Sequence, residues 1–426
     1  MDQQGQEQEQ GRWNNRSARL ACSADAVDQP ARSGGILPKS RILHVSADFP
    51  DPFDTSKTSV IRTLLDLTEE QFGHRVISLN RRSPSLHKFG WDLLARFGKP
   101  ELKTQTQAFK FGEALVYDAP PLGWYHATML RELGDQIGDA IGDQYDLVIG
   151  HKLTVEGLVV SEISKRIGVP FGVCIQGDTD TKILRARPDL AAAFGRIFHQ
   201  AEIVFPFTPW ALREVEARLG ARKGPTMLLP CPTDLDVPLR PKPEGQGIIS
   251  AFHLKNYRRK NLAGMVAAMQ ILRQESSVGL SIIGGGTEQD EAHCRRISGQ
   301  LNTIVFEGRL GRGSIRQRMN EAVGFVLPSL RESFGLVFIE ALFAGLPIVY
   351  PRGTSIDGYF DDLPFAIAVD ARNPSDIAGA IRKIMREELT LKAQLEDWQR
   401  STRAEQFMRS EIAKTFTQGL ECAIHR

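Results

Sequence analysis

Two carboxylates, Glu332 and Glu340, lie eight positions apart in residues 328–347, which read PSLRESFGLVFIEALFAGLP. Glu332 follows an apolar run and falls in a turn, whereas Glu340 falls in a helix predicted to begin near Phe334–Gly335 and to end at Gly345. The start of a helix presents unpaired backbone N–H groups and a partial positive charge. We therefore expect this segment to hold a polar, phosphate-bearing ligand, with both carboxylates accepting hydrogen bonds from its hydroxyls.

A basic turn precedes this segment in the same half of the chain. Lys255, Arg258, Arg259 and Lys260 follow a short apolar strand and come directly before a predicted helix. Cations and a helix N-terminus can together neutralise a diphosphate. A basic loop alone is usually a solvated surface, but its place beside the carboxylate turn favours a shared binding site.

A glycine turn follows the next strand, where residues 282–287 read IIGGGT. The spacing differs from the Gly-x-Gly-x-x-Gly fingerprint, so an oxidoreductase with a nicotinamide cofactor is disfavoured. Gly284 and Gly285 are expected either to let the backbone turn beside a ligand or to form a plain turn.

Three strand ends in the first half also carry polar residues, at Asp48, His151 and Gln176–Asp178. His151 could face a cleft, although a lone histidine is more often structural. The sequence contains no Ser-His-Asp spacing, Walker loop or metal-ligand cluster. Asp178-Thr179-Asp180 has the Asp-x-Asp spacing of a metal motif but falls in the first half, so we predict neither metal nor cofactor.

Composition places the chain among globular proteins of more than one domain. It has 426 residues, 42% of them apolar and 24% charged. A net charge of +2 gives no overall case for a nucleic-acid partner. Five scattered cysteines predict a reduced, cytoplasmic compartment. Neither a membrane-spanning apolar run of roughly 18 residues nor a signal peptide is recognised.

Short apolar runs alternate with helix-like segments along the chain. Six strands are predicted before the polar linker 240–247 and six after it, so we expect two parallel α/β sheets that bind ligands beyond their carboxyl ends. The predicted strands are Ile42–Val45, Val76–Leu79, Leu147–Gly150, Phe171–Ile175, Ile203–Phe205, Met227–Leu229, Ile248–Ser250, Leu280–Ile283, Thr303–Phe306, Gly324–Leu327, Pro347–Tyr350 and Ala366–Val369.

These patterns predict four segments. Residues 1–38 are polar and read as a disordered tail. Residues 39–240 and 241–400 are expected to be two Rossmann-like domains, and 401–426 to be helices that pack back on the first domain.

The second half resembles the retaining glycosyltransferases of the GT-B fold, in family 4 of the glycosyltransferases (glycosyl transferases group 1). The resemblance is strong over about residues 245–370 and weak over about 40–235. It implies two Rossmann-like domains facing across a cleft, the first for the acceptor and the second for the donor. The residues that carry it are Lys260–Asn261, Ser281–Gly286, Ile304–Gly308, Phe325–Ser329, Glu332–Leu336, Glu340–Ala341 and Ala344–Pro347.

The resemblance also implies site residues. Glu332 would bind the hydroxyls of the donor sugar, Glu340 would bind the ribose, and Lys260 would neutralise the diphosphate. The N–H groups of Phe334, Gly335 and Leu336, beside Ser333, would contact the donor phosphates. The nucleotide would be lined by Gly284, Gly285, Phe306 and Arg309.

Two family positions depart from the pattern. The family's second cation, an arginine, is replaced by Lys255 if the alignment has no gap and by His253 if it has one. The family's histidine at a strand end of the first half looks replaced by Gln176, which leaves His151 as the nearest imidazole.

The implied activity is transfer of a hexose from a UDP-, GDP- or ADP-sugar to a hydroxyl acceptor, with retained anomeric configuration and without a metal. The acceptor stays open among a glycan, a lipid-linked molecule and a small molecule, and the setting would be cell-surface polysaccharide, lipopolysaccharide or glycolipid biosynthesis. A lipid-linked acceptor would require peripheral contact with the inner face of the membrane, for which the basic and aromatic stretch 81–99 is a candidate. The alternative is a non-catalytic nucleotide-sugar-binding protein or partner subunit of the same fold.

Overall fold

The computed structural model describes residues 39–83, 102–119, 125–142, 144–235, 237–273, 278–299 and 301–426. The predicted tail 1–38 and most of the stretch 81–99 lie outside these ranges. Within them, no helix combines the length and the apolar character needed to cross a membrane.

Seven strands form the first sheet, in the order β3-β4-β2-β1-β5-β6-β7. Neighbouring strands are parallel except β3 and β4, which are antiparallel at the edge. The strands are β1 (Ser40–Ser46), β2 (Phe72–Arg82), β3 (Thr104–Phe109), β4 (Gly112–Asp118), β5 (Leu147–Gly150), β6 (Phe171–Ile175) and β7 (Ile203–Pro206). The helices of this half are α1 (Val60–Asp66), α2 (His126–Ile141), α3 (Glu156–Ile167), α4 (Asp178–Ala186), α5 (Ala191–Gln200) and α6 (Pro209–Leu219).

The first sheet differs from the prediction at three strands. β3 reads TQTQAF and is almost wholly exposed at the edge, so it carries no apolar signal, and β4 was missed with it. The predicted strand Met227–Leu229 is wrong. There the chain only runs beside β7, through an isolated bridge between Val204 and Thr226. Prolines on both sides remove the N–H donors that a longer ladder needs.

The second sheet contains all six strands predicted for this half, joined in parallel in the order β10-β9-β8-β11-β12-β13. They are β8 (Ile248–Ala251), β9 (Leu280–Ile283), β10 (Ile304–Gly308), β11 (Gly324–Val326), β12 (Ile348–Pro351) and β13 (Ala366–Val369). The accompanying helices are α7 (Leu262–Leu272), α8 (Glu288–Ser298), α9 (Arg312–Asn320), α10 (Leu336–Phe343), α11 (Pro374–Arg386), α12 (Glu388–Gln399), α13 (Thr402–Glu405) and α14 (Arg409–Ile424).

Burial explains why these segments fold as a layered sheet. All residues of β8, β11 and β12 are buried, as expected for parallel strands covered on both faces. The covering helix α11 turns Ile377, Ile381 and Ile384 toward the sheet and begins at Asn373, whose side chain accepts hydrogen bonds from the first backbone N–H groups. This packing fixes the strand ends from which the functional side chains project.

The two halves contact each other directly. The last helix, α14, returns to the first half and contacts β5, β7 and α1, with Phe416 edge-on to Phe205. Beside it, Trp210 Nε1 of α6 donates to the Ser355 carbonyl at 2.5 Å, and the Tyr359 hydroxyl donates to the Phe207 carbonyl at 2.8 Å. Because both bonds are buried, they hold the loop 353–361 of the second half against the first.

Candidate functional site

The predicted binding residues of the second half lie at the carboxyl ends of β8, β9, β10 and β11. β8 and β11 are neighbours in the sheet, yet their connections leave in opposite directions, which makes this the point where parallel α/β sheets open a crevice. Lys260 follows β8 and Glu332 follows β11. The topology therefore brings together two residues that are 72 positions apart.

Lys260 and Glu332 are in direct contact, because Lys260 Nζ donates to Glu332 Oε2. Each side chain is 12% exposed, so the pair is largely shielded but open on one side. The next residue, Asn261, fixes the geometry. Its side chain accepts from Gly264 N at the start of α7 and donates to the Pro328 carbonyl at 3.1 Å. The basic turn and the carboxylate turn are thus joined on both sides of the ion pair.

The helix that carries Glu340 begins at Leu336, slightly later than predicted, and ends at Phe343. Gly335 precedes it with a φ of 80°, and a Cβ there would lie 2.8 Å from both the Phe338 ring and Ser355 Oγ. Only glycine fits this turn. The carbonyls of Glu332 and Phe334 accept from Thr354 and Ser355 at 2.7 Å each, so the turn is held from behind.

The residues Ser333 to Leu336 form the entry to this helix. Ser333, Gly335 and Leu336 are half-buried, whereas the ring of Phe334 is buried against Tyr359. The first N–H groups of a helix have no partner within it. In the chain these N–H groups directly follow Glu332, the partner of Lys260.

Glu340 is half-buried one turn into α10 and accepts a hydrogen bond from Thr233 Oγ1 at 3.1 Å. Burial raises the pKa of Glu340, the bond from Thr233 lowers it, and the charge of nearby Asp234 raises it. Asp234 is itself paired with Arg312 at 2.6 Å and with Arg409 at 3.2 Å. Thr233 and Asp234 were missed from the sequence, because they precede the predicted linker and carry no motif.

Gly284, Gly285, Phe306 and Arg309 lie together at the ends of β9 and β10. A Cβ at Gly284 would sit 1.7 Å from the Phe252 carbonyl, so that glycine is required by a close backbone approach. Gly285 faces the Arg309 side chain, and the Arg295 guanidinium lies 5.2 Å from the centre of the Phe306 ring. These residues form one wall at the carboxyl ends of β9 and β10.

The two candidates for the second cation lie at the short turn 254–256, with Lys255 inside it and His253 directly before it. Lys255 and His253 are both exposed, and His253 Nδ1 accepts from the Lys255 N–H at 3.3 Å. The charges of both side chains help to lower the pKa of Asp290, after the hydrogen bonds from Thr287.

His151 is not the cleft-facing imidazole that we expected. Its side chain is fully buried, with Nε2 3.1 Å from His44 Nδ1 and Nδ1 3.6 Å from Cys174 Sγ. Burial lowers the pKa of His151 to about 3. Both ring nitrogens are engaged by buried groups, so we leave His151 out of the proposed site.

The carboxyl edge of the first sheet carries a different polar cluster. Lys152 follows β5 and lies 2.5 Å from Asp48 Oδ2 and 3.5 Å from Glu156 Oε1. Asp48, after β1, is 31% exposed, whereas Glu156 is completely buried. Burial acts to lower the pKa of Lys152, but Glu156 and Asp48 raise it, and burial raises the pKa of Glu156 to about 7. Lys152 thus remains charged and holds Asp48 toward the cleft.

Asp178 and Asp180 have separate partners rather than a shared metal. Asp178 accepts two hydrogen bonds from Arg331, at 3.0 and 2.7 Å, across the two halves. Asp180 is buried and accepts from Thr154 N and Oγ1 at 3.0 and 2.8 Å. Gln176, predicted to replace a histidine, is buried at the strand end, so Asp178 is the residue that reaches the second half. Within the described ranges no group of three potential ligands could hold a metal ion.

The loop after β1, which lacks glycine, is fastened by an ion pair. Lys57 Nζ lies 2.7 Å from Asp51 Oδ2 and also donates to Ser78 Oγ and the Leu79 carbonyl. Burial alone would raise the pKa of Asp51, but hydrogen bonds from Lys57, Ser78 and Asn80 lower it to about 2. The loop is therefore held in place by charge.

Residues 242–404 match the profile of the family described as glycosyl transferases group 1. The match covers less than half of the chain and lies in its second half. The chain is 27% identical to an uncharacterized glycosyltransferase of Methanocaldococcus jannaschii over 132 residues, covering 30% of this chain and 33% of the relative. It is 24% identical to a D-inositol 3-phosphate glycosyltransferase of Nocardiopsis dassonvillei over 279 residues, covering 58% and 63%. The chain thus spans about a third of the first relative's length.

The solved structures it resembles cover both halves. A sucrose-phosphate synthase from Thermosynechococcus elongatus aligns over 90% of this chain and 98% of its own, with a TM-score of 0.63 and 20% identity. A UDP-forming α,α-trehalose-phosphate synthase from Burkholderia xenovorans, in complex with glucose-6-phosphate, aligns over 90% and 100%, with a TM-score of 0.60 and 12% identity. This likeness confirms the predicted GT-B fold of two parallel-sheet α/β domains.

Proposed function

We propose that the chain is a retaining glycosyltransferase that moves a hexose from a nucleotide-diphosphate sugar to a hydroxyl acceptor without a metal. The observation that carries this proposal is the contact between Lys260 and Glu332 at the start of the glycine-led helix α10. The proposal assigns a cation, a carboxylate and the first N–H groups of a helix to one binding site, and the Lys260–Glu332 contact supports this. A diphosphate and a sugar hydroxyl require those three groups.

Each donor part has a matching group in the second half. The sugar hydroxyls meet Glu332, the diphosphate meets Lys260 and the N–H groups at residues 333–336, and the ribose meets Glu340. The nucleoside passes along the wall of Gly284, Gly285, Phe306 and Arg309, with Lys255 or His253 as the second cation. In the structure Lys260 is paired with Glu332. An arriving diphosphate offers Lys260 a second anion and leaves Glu332 able to accept from the sugar.

The reaction then needs positioning and charge stabilisation rather than a dedicated base. The acceptor hydroxyl attacks the anomeric carbon from the face that the diphosphate leaves, so the configuration is retained. The bond from that carbon to the diphosphate oxygen breaks with its electron pair going to the oxygen, which takes the acceptor's proton. Lys260 stabilises the negative charge that grows on the leaving group.

The acceptor is placed by the first half. Asp48 is exposed at the carboxyl edge and can accept hydrogen bonds from acceptor hydroxyls, while Lys152 and Glu156 position it from below. The Asp178–Arg331 pair shows that this edge faces the residue next to Glu332. We propose a polyhydroxylated acceptor, either a small molecule or the sugar end of a glycan or glycolipid. The buried thiols of Cys174, Cys231 and Cys294 support a cytoplasmic setting.

Donor binding tests the proposal first. We expect one of UDP-, GDP- and ADP-glucose to raise the thermal midpoint, because a ligand at 100 times its Kd stabilises the folded state by about 2.7 kcal/mol. Glu340→Ala should remove most of that rise, whereas Glu421→Ala, at the exposed end of α14, should keep it. The proposal fails if none of the three donors changes the midpoint of the wild type.

The Asp178–Arg331 pair offers a test of how the halves are positioned. Reversing either charge alone, with Asp178→Arg or Arg331→Asp, should lower kcat about 10- to 100-fold, because a small displacement of Glu332 misaligns the reacting atoms. The double reversal should recover most of the loss. The matched control is the reversal of Arg185 and Glu214, a 2.7 Å pair inside the first half, which should leave kcat unchanged. Failure of the double variant to recover would show that Arg331 acts on the ligand rather than through Asp178.

A further inference from the structure

A second cavity lies at the opposite edge of the first sheet, by the amino ends of β1 and β2. Its volume is about 370 Å³, and its lining includes Arg41, Arg75, Lys110, Phe109, Phe111 and Tyr145. Ligands of parallel sheets bind beyond the carboxyl ends of the strands. This cavity therefore has no part in the donor and acceptor sites proposed above.

Positive charge dominates the cavity. Arg41 Nη2 donates to Gln144 Oε1 at 2.8 Å, and its guanidinium lies 5.4 Å from the centre of the Tyr145 ring. Arg75 is paired with Glu113 at 2.9 Å, and both side chains are nearly half exposed. A guanidinium has several N–H donors, and each of these hydrogen bonds uses only part of them, so donors remain for a ligand. Three cations thus line the cavity, and two carboxylates lie nearby: Glu113, paired with Arg75, and Asp146, which accepts from the Arg41 backbone N–H at 2.7 Å.

The Tyr145 hydroxyl adds a donor with no partner of its own. Tyr145 is only 3% exposed, and its oxygen is buried without a hydrogen bond to any described residue. Burial raises the pKa of Tyr145, while the charges of Arg75 and Arg41 act to lower it. An unsatisfied buried O–H costs about 1–3 kcal/mol. The hydroxyl is closed off from solvent, so an acceptor in the cavity would satisfy it once a small side-chain shift opens a path to it.

The remaining wall is aromatic. Phe109 and Phe111 lie 6.1 Å apart between ring centres, and Phe111 packs edge-on against the buried ring of Phe49 at 5.3 Å. Lys110 Nζ lies 5.2 Å from the centre of the Phe111 ring. A rigid apolar wall beside a cluster of cations suits a ligand with one anionic end and one ring. The volume is within the usual range for small-molecule sites.

We propose that this cavity binds a small organic phosphate, with the phosphate held by Arg41, Arg75 and the Tyr145 hydroxyl and its ring against Phe109 and Phe111. This site is separate from the donor site. One protein would therefore bind phosphate groups in two places, at the amino edge of the first sheet and at the carboxyl edge of the second. The proposal does not depend on the function proposed above.

The experiment uses the full chain carrying Lys260→Ala, which weakens phosphate binding at the donor site. Ribose 5-phosphate should raise the thermal midpoint of this protein, and inorganic phosphate should do so at higher concentration because it lacks the ring. The double change Arg41→Gln and Arg75→Gln should abolish the response to both. Tyr145→Phe keeps the packing and should weaken ribose 5-phosphate binding about tenfold, the loss of about 1.4 kcal/mol from one hydrogen bond to a charged group.

Lys165→Gln is the matched control, since Lys165 is an exposed cation paired with Glu162 on α3 of the same half. It should bind ribose 5-phosphate as tightly as the parent. No midpoint rise in the parent, or a rise of the same size with sodium chloride at equal ionic strength, would overturn the proposal. So would an unchanged response in the arginine double variant. If that variant does not fold, an unchanged Kd in Tyr145→Phe is the overturning result.

Discussion

Replacing Lys260 by alanine is expected to lower kcat for sugar transfer by about 100- to 1,000-fold. This is the usual effect of removing one preorganised group that stabilises charge in a transition state. Lys260 is only 12% exposed and already held beside Glu332, so its charge acts in a shielded opening rather than in bulk water. The loss should appear mainly in kcat, because the growing charge on the diphosphate is greatest as the glycosidic bond breaks. Single-turnover transfer with the donor found by thermal shift measures it.

Arg259→Ala is the matched control for this prediction. Arg259 is the preceding residue of the same basic turn and is exposed, so its removal takes away an equal charge without touching Glu332. We expect its kcat to stay within about twofold of wild type, as for a solvated charge. The folded state of both variants is checked by circular dichroism. Equal effects of the two changes would show that the turn acts only through its overall charge, and a near wild-type rate for both Lys260→Ala and Glu340→Ala would overturn the site itself.

The positions of the candidate site residues in the second half could be predicted from sequence because these residues lie in short, local segments of the chain. Gly335 allows the turn, α10 carries Glu340, and Asn261 directly follows Lys260, so each group's surroundings are set by its neighbours in the chain. Parallel strands then bring the segments to one edge by a general rule of such sheets. The structure was needed only to identify two contacts with residues from other segments: Thr233 with Glu340, and Asp178 with Arg331.

The first half resisted prediction because its polar groups interact across strands. Asp48, Lys152 and Glu156 come from two different strand ends and a helix, and no spacing along the chain marks them as one cluster. The edge strand β3 is almost wholly exposed, so its sequence carries no apolar pattern that would mark it as a strand. His151 was assigned to the cleft because a strand end does not reveal whether its side chain points into the core.

His151 belongs to a chain of three imidazoles, of which His44 and His151 are buried and His74 is half-buried. His74 Nε2 lies 3.0 Å from Thr68 Oγ1, His74 Nδ1 lies 2.9 Å from His44 Nε2, and His44 Nδ1 lies 3.1 Å from His151 Nε2. When Thr68 donates its proton to the Leu64 carbonyl at 3.1 Å, its oxygen accepts from His74 Nε2 at 3.0 Å. Each following link then has Nε2 as the donor and Nδ1 as the acceptor. One added proton can be accommodated by reversing the links on one side of it, so burial rather than the hydrogen bonds disfavours the charged form.

Burial lowers the pKa of all three histidines, to about 4 for His74, to about 3 for His151 and well below 6.5 for His44. In the unfolded chain they bind protons near pH 6.5. Below that pH the unfolded state therefore binds more protons than the folded state, and the free energy of unfolding decreases as the pH is lowered. Each imidazole that stays neutral in the folded protein costs about 1.4 kcal/mol between pH 8 and pH 5.5. The three together should lower the free energy of unfolding by about 4 kcal/mol over that range.

Other charged groups lie near the three histidines, and their effect on the pH dependence of stability must be included. Lys39 lies near His74, and Asp48 and Lys152 lie near His151. Glu156 titrates in the opposite sense. Its pKa in the folded protein is raised to about 7, so below about pH 7 the folded state binds more protons at Glu156 than the unfolded state does. This offsets about 2 kcal/mol of the loss of stability by pH 5.5. We still expect a net loss of stability, measured as the free energy of unfolding in urea at pH 8 and pH 5.5.

A substitution inside the chain separates the histidines from these neighbours. His44→Gln keeps one donor and one acceptor in the middle of the relay but does not titrate, so the fall in stability between pH 8 and pH 5.5 should shrink by about 1.4 kcal/mol. His425→Gln, at the exposed end of α14, should leave that fall unchanged. Comparing the pH-dependent part removes any constant cost of repacking at His44. An unchanged fall in His44→Gln would mean that His44 is as protonated in the folded protein as in the unfolded chain, and would overturn this prediction.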